Sequence, residues 1–187
     1  MHNLKFNSVG LLFQAIFSNM EIIMAMNPGD ERLLEDCLQE YISTTRAIHL
    51  WFHGAHNVTR GTGFAGDHVS LYGRIYQEIQ EDIDGLIEKS VGLTQNEELA
   101  CPIAITVRAG EILSNYPSPT SLTSLSIASC GLQLLEAYLE LLKMIFESLE
   151  SSDDLSLGLN DYIMAHANKY ETFIYLLQQR QKSELDL

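Results

Sequence analysis

The chain has 187 residues, of which 46% are hydrophobic and 19% charged. That composition suits one domain with a sizeable core and excludes an intrinsically disordered chain. A formal net charge of −14 repels nucleic acid and anionic membranes and attracts cations.

Residues 9–26 are rich in Leu, Ile, Phe and Met, but Gln14, Asn19 and Glu21 interrupt them, which makes a poor membrane span. Only Lys5 precedes them as a positive residue and no small-residue cleavage site comes after them, which argues against a secretory signal. Residues 1–29 read as an apolar N-terminal extension, an extra helix that packs on the bundle or on a partner, and residues 30–187 as the compact domain. Asn27-Pro28-Gly29 is a turn, with Asp30 as the N-cap of the first bundle helix. Leu34, Leu38, Tyr41, Ile42, Ile48, Trp51 and Phe52 recur at helical spacing and predict that helix over 31–55. Gly61, Gly63 and Gly66 make 57–66 a short connection, so the second helix, 67–91, runs antiparallel to the first. Leu71, Tyr72, Ile75, Tyr76, Ile79, Ile83, Leu86 and Ile87 form its apolar face. Glu78, Glu81, Asp82, Asp84 and Glu88 lie elsewhere around it, and Gly92 is its stop.

A longer crossover comes next, carrying a short helix that Pro102 opens and Tyr116-Pro117-Ser118-Pro119 breaks. A third long helix spans 121–149, with Leu125, Leu132, Leu135, Leu139, Leu142, Phe146 and Leu149 in steps of three, four and seven. Residues 151–154 form a tight polar link. The fourth helix covers 155–181, with a stripe of Leu159, Ile163, His166, Tyr170, Phe173 or Ile174, and Leu177. Four helices of about 25 residues, each about 37 Å long, with connections that read short, long, short, predict an all-α, ferritin-like four-helix bundle. Cys37, Cys101 and Cys130 show no CxxC spacing and read as small hydrophobes in a reducing compartment, so a cytoplasmic protein is expected.

Four of the six histidines fall between residues 49 and 68. On one helix His49, His53 and His56 stand at i, i+4 and i+7, within one narrow arc. Neutral imidazole is a good transition-metal ligand, and carboxylates complete sites for iron or manganese. On the second helix Asp84 and Glu88 form an i, i+4 acidic pair, with Glu81 on the same stripe. A histidine-rich helix facing a carboxylate-rich one would suit a metal. The plainer alternatives are core or interface histidines and a solvated acidic face. His166, between two alanines on an apolar stripe, reads as a core residue. GxSxG, HExxH and the ExxH of bundle-core di-iron proteins are all absent.

The stretch from Ile48-His49-Leu50-Trp51-Phe52-His53 through His56-Asn57-Val58, Gly61, Gly63-Phe64 and His68 resembles the helix–turn–helix signature of Dps proteins, the mini-ferritins. Asp84-Gly85-Leu86-Ile87-Glu88 is similar to the family's D-x-x-x-E pair, and the last helix loosely resembles the family's closing helix. The resemblance implies a twelve-subunit hollow shell. It also implies a di-iron site at a two-fold interface, with histidines from one subunit and the acidic pair from its neighbour. His53, His56, His68, Asp84 and Glu88 are the implied ligands. The implied activity is ferroxidase: binding Fe(II), oxidising it with peroxide or oxygen, and storing ferric iron. The sequence departs from the signature in having Tyr72 where an acid follows the second histidine. It also places one extra residue between His68 and Asp84, and offers three histidines where one is needed. The alternative is a helical assembly protein on the same scaffold without the metal site.

A closed homo-oligomer is expected from apolar surface beyond one bundle stripe, namely residues 9–26 and the Trp51/Phe52 pair. No membrane association is expected. Weak or no DNA binding is expected: the first 30 residues hold one lysine, the segment 180–187 is charge-balanced, and a net −14 leaves little counterion release to drive association.

Overall fold

A computed structural model describes residues 32–185. The apolar stretch 9–26 and the turn with Asp30 lie outside the described residues. Among the described residues five α-helices build an all-α bundle: α1 (Arg32–Val58), α2 (Arg74–Thr94), α3 (Pro102–Leu113), α4 (Ser124–Ser151) and α5 (Leu157–Leu185). A π-helical segment, Gly66–Gly73, runs directly into α2. The long helices outlast the predicted ones by a few residues. Gly92 is not the stop of α2, which continues to Thr94. Gln95 takes the left-handed conformation (φ 56°) there and donates its N–H to the Val91 carbonyl, so the cap chemistry, not the glycine, ends the helix. Pro102 opens α3, and Thr123 caps α4 by accepting from the Ser126 N–H at 3.2 Å.

Pairwise contacts fix the directions. Asn96 donates to Glu35, Arg108 binds Glu40, the Trp51 indole N–H donates to the Pro117 carbonyl, and Arg60 donates to the Leu122 carbonyl. Residues 96 to 122 therefore climb along α1 from its start to its end. α4 begins where α1 ends and runs back beside it, pairing Tyr138 with Thr45. α5 returns antiparallel to α2, pairing Lys169 with Asp82 and Arg180 with Asp67. α2 and α4 are thus parallel, which is why a long crossover has to join them.

The stripes pack as the periodicity requires, with informative exceptions. On α5, Phe173 is buried and Ile174 only half-buried, and His166 lies in the core as read. Trp51 and Phe52 are buried beneath the crossover and against Gly131, so they add no exposed apolar surface. On α4, the seven-residue series Leu125, Leu132, Leu139, Phe146 is only half-buried. The inward face is Ile127, Leu134, Leu135, Tyr138, Leu141, Leu142 and Ile145. Straight α-helices drift against a seven-residue repeat, so a 3.6-residue stripe governs a helix this long. By length and composition α4 is apolar enough to cross a membrane, but half of its most apolar stretch is buried inside the bundle. Cys37 and Cys130 are buried, with thiols pushed up by burial to about 12 and about 11. Cys101 is half-buried.

Candidate histidine face and its acidic neighbours

The imidazoles of α1 do stand on one arc, but they divide into roles. His49 is buried, 6% exposed, its ring 6.1 Å from that of His53. Burial first, then the nearby Arg46 and His53, lower its pKa to about 4, so it is neutral at pH 7. His53 is exposed and His56 half-buried. Tyr76 of α2 lies against all three, with ring centroids 6.0, 4.9 and 5.0 Å from His49, His53 and His56.

His56 and His68 form a reciprocal pair. The His56 Nδ1–H donates to the His68 carbonyl at 2.7 Å, and the His68 Nδ1–H donates to the His56 carbonyl at 2.9 Å. A carbonyl can only accept, so each Nδ1 carries a proton, and in the neutral form of each ring Nε2 keeps its lone pair. The two rings stack with centroids 3.8 Å apart, and Phe64 stacks on His68 at 4.8 Å. Two imidazoles whose Nδ1–H groups are anchored to backbone carbonyls match the outer-shell arrangement that orients metal-binding histidines. Gly73 permits this packing: a Cβ there would come within 2.5 Å of the His68 carbonyl oxygen and 3.2 Å of His56 Nδ1. Gly73→Ala is expected to cost about 1–3 kcal/mol through overpacking and to break the pair. Urea unfolding together with the histidine ring NMR signals measures both effects, and unchanged His56 and His68 resonances would overturn this role for the glycine.

Asp84 and Glu88 are exposed on α2 and lie apart from the histidines of their own chain. Tyr76, Gln80, Asp84 and Glu88 succeed one another at four-residue steps along one edge of α2. Tyr76, beside the histidines, and Asp84 are eight residues apart, about 12 Å along the helix axis. Asp84 borders a cleft of about 410 Å³ between α2 and α3, lined also by Arg46, Gln80 and Glu81. Histidines and acids therefore share a face without converging. Among the described residues, no three His, Cys, Asp or Glu side chains form a group that could hold a metal.

The sequence reading puts Asp82 among the residues off the core face, and the structure buries it. Its carboxylate meets Lys169 at 2.5 Å and lies 3.4 Å from His166 Nε2. His166 Nδ1 is 2.6 Å from the Tyr41 hydroxyl. Burial would raise the Asp82 carboxyl, but His166 and Lys169 outweigh it and hold it below the usual carboxylate range. A signal was available: Ile75, Ile79, Asp82 and Leu86 step by four, three and four, which puts Asp82 on the core stripe. Tyr76, expected on the apolar face, packs half-buried against the core and is also the centre of the histidine group.

No family model, curated protein or solved structure matches this chain. Function therefore rests on the geometry of its own residues.

Proposed function

We propose that this protein is a self-assembling subunit on a ferritin-like four-helix bundle, a helical assembly protein with no complete metal centre within one subunit. The observation that carries this reading is the connectivity: two antiparallel helix pairs joined by a crossover that runs the length of α1. The polar residues at the bundle centre, Tyr41, His166 and Asp82, bond to one another and to the Lys169 ammonium at the bundle edge. Apolar side chains remain on the outside, Ile103 and Val107 at adjacent turns of α3 among them, and these are candidate subunit contacts.

A second reading has specific support: an oligomeric, Dps-like shell that binds Fe(II) as its substrate and oxidises it across a two-fold interface. In an isologous contact residue i meets j and j meets i. A two-fold axis passing near Gln80, midway between the histidines and Asp84, would set His56 and His68 of one subunit against Asp84 and Glu88 of the other. The π-helical segment bears on the register. It takes up an additional residue relative to an α-helix, and the His68-to-Asp84 spacing is one residue longer than in the resembled signature. In this reading His56, His68 and His53 would offer imidazole nitrogens, and Asp84 and Glu88 would offer carboxylate oxygens.

Sedimentation of the full chain, followed by iron content after aerobic Fe(II) loading, tests both readings. A closed oligomer that retains no iron favours the first. A closed oligomer that oxidises Fe(II) faster than buffer favours the second. A 21 kDa monomer at micromolar concentration would sink both. Under the second reading the double variant Asp84→Ala/Glu88→Ala loses rapid Fe(II) oxidation while its sedimentation is unchanged. Both side chains are exposed, so their loss costs little packing.

A further inference from the structure

At the centre of the bundle, Tyr41 is fully buried and its hydroxyl lies 2.6 Å from Nδ1 of His166, itself 3% exposed. His166 Nε2 faces the Asp82 carboxylate at 3.4 Å, so in its neutral form the ring carries its proton on Nε2 and accepts from the phenol on Nδ1. Around this pair stand three more tyrosines. Tyr138 lies 6.3 Å from Tyr41, centroid to centroid, and Tyr170 lies 4.6 Å from Tyr138. Tyr162 lies 4.4 Å from His166 and donates its hydroxyl to the Asp82 backbone carbonyl. Tyr162 is half-buried and so connects the cluster to the surface.

We propose that Tyr41 is a redox-active tyrosine that gives up one electron while handing its phenolic proton to His166. The step is balanced: neutral Tyr41–OH and neutral His166 become a neutral Tyr41 radical and a protonated His166, and one electron passes to the oxidant. The oxidant is a one-electron species of the peroxide-derived class, reached through the aromatic cluster.

The geometry makes the coupling necessary. A phenol that loses an electron becomes a strong acid, and its cation has no solvent in this core. Burial also holds the Tyr41 hydroxyl well above its ordinary pKa, so prior ionisation does not offer a route. A base 2.6 Å from the hydroxyl oxygen is within the reach that proton transfer requires. Asp82 then faces the new imidazolium. The groups that face His166 are Tyr41, Asp82, Tyr162, Tyr170 and, through Asp82, Lys169. This chemistry requires no iron.

The test is flash oxidation of the full chain by photogenerated tris(bipyridyl)ruthenium(III), with freeze-quench EPR, in a Tyr175→Phe background that removes an exposed tyrosine. A tyrosyl signal is expected, slower to form in D₂O, and lost in Tyr41→Phe. His166→Gln still accepts the phenolic hydrogen bond but takes no proton, so its radical yield falls even where its thermal stability matches the parent. A polar core serving only to fix helix register would leave the EPR signal unmoved by either variant, and that result overturns the proposal. Should Tyr41→Phe fail to fold, ¹⁵N-histidine labelling of the unaltered chain decides: nitrogen coupling to the radical supports the assignment, and its absence overturns it.

Discussion

Arg108→Ala is expected to destabilise the bundle by about 3–5 kcal/mol, the cost of removing one member of a buried ion pair. Arg108 reaches from α3 to α1 and grips Glu40 with two parallel bonds, Nε to Oε2 at 3.0 Å and Nη2 to Oε1 at 2.9 Å. The Glu40 side chain is only 2% exposed, so this pair is shielded from water on the Glu40 side. For a chain of this size the loss corresponds to a fall in Tm on the order of 10 °C. The same arginine also meets Glu111, whose side chain is 58% exposed; Glu111→Ala should shift stability by no more than about 0.5 kcal/mol. The double variant Glu40→Met/Arg108→Leu removes both charges and replaces them with apolar volume, and is expected to recover most of the loss. Denaturant melts of the four proteins measure the set. Arg108→Ala melting with the unaltered protein would show that the crossover is held by its apolar contacts alone.

The second large effect is acid destabilisation centred on His49. The sign comes from linkage. In the unfolded chain its imidazole takes a proton near pH 6.5, whereas in the fold burial, Arg46 and His53 delay protonation to about 4. Between those values the unfolded state binds more protons, so stability falls as pH falls. The interval corresponds to about 3 kcal/mol at 1.36 kcal/mol per pKa unit. Stability from this group is therefore complete above about pH 6.5 and gone near pH 4. Asp82 acts in a lower window. Its folded pKa is depressed, so its contribution is present above the unfolded carboxylate range, near pH 4, and is lost as pH falls through the folded value. Urea melts at pH 7, 5 and 4 of the unaltered protein and of His49→Gln separate the two groups. The variant should lose the upper limb and keep the lower. Parallel pH profiles for the two proteins would assign the acid sensitivity to other residues.

Much of the architecture was legible from spacing. The four long helices, the short–long–short connections and the α5 stripe through Leu159, Ile163, His166, Tyr170 and Leu177 reflect a 3.6-residue period, because a helix has one way to put its apolar residues on one side. Spacing also put His49, His53 and His56 on one arc and left Asp84 and Glu88 outside the core. Periodicity alone does not say which of several polar residues near a stripe finds a partner. Asp82 is buried because His166 and Lys169, more than 80 residues away in the chain, compensate its charge. Trp51 and Phe52 are buried because the crossover folds over α1 and Gly131 makes room for their rings. The helical register at His68 was undecidable from an ideal helix. The π turn, with its glycine at residue 73 and the reciprocal bonds between His56 and His68, exists only once α1 and the start of α2 lie side by side. The sequence by itself determined the helices and the faces they turn inward. Which charges those faces can bury, and which imidazole nitrogens remain free to bind, was decided by contacts between distant segments, because a charge or a lone pair is placed by its partner in space.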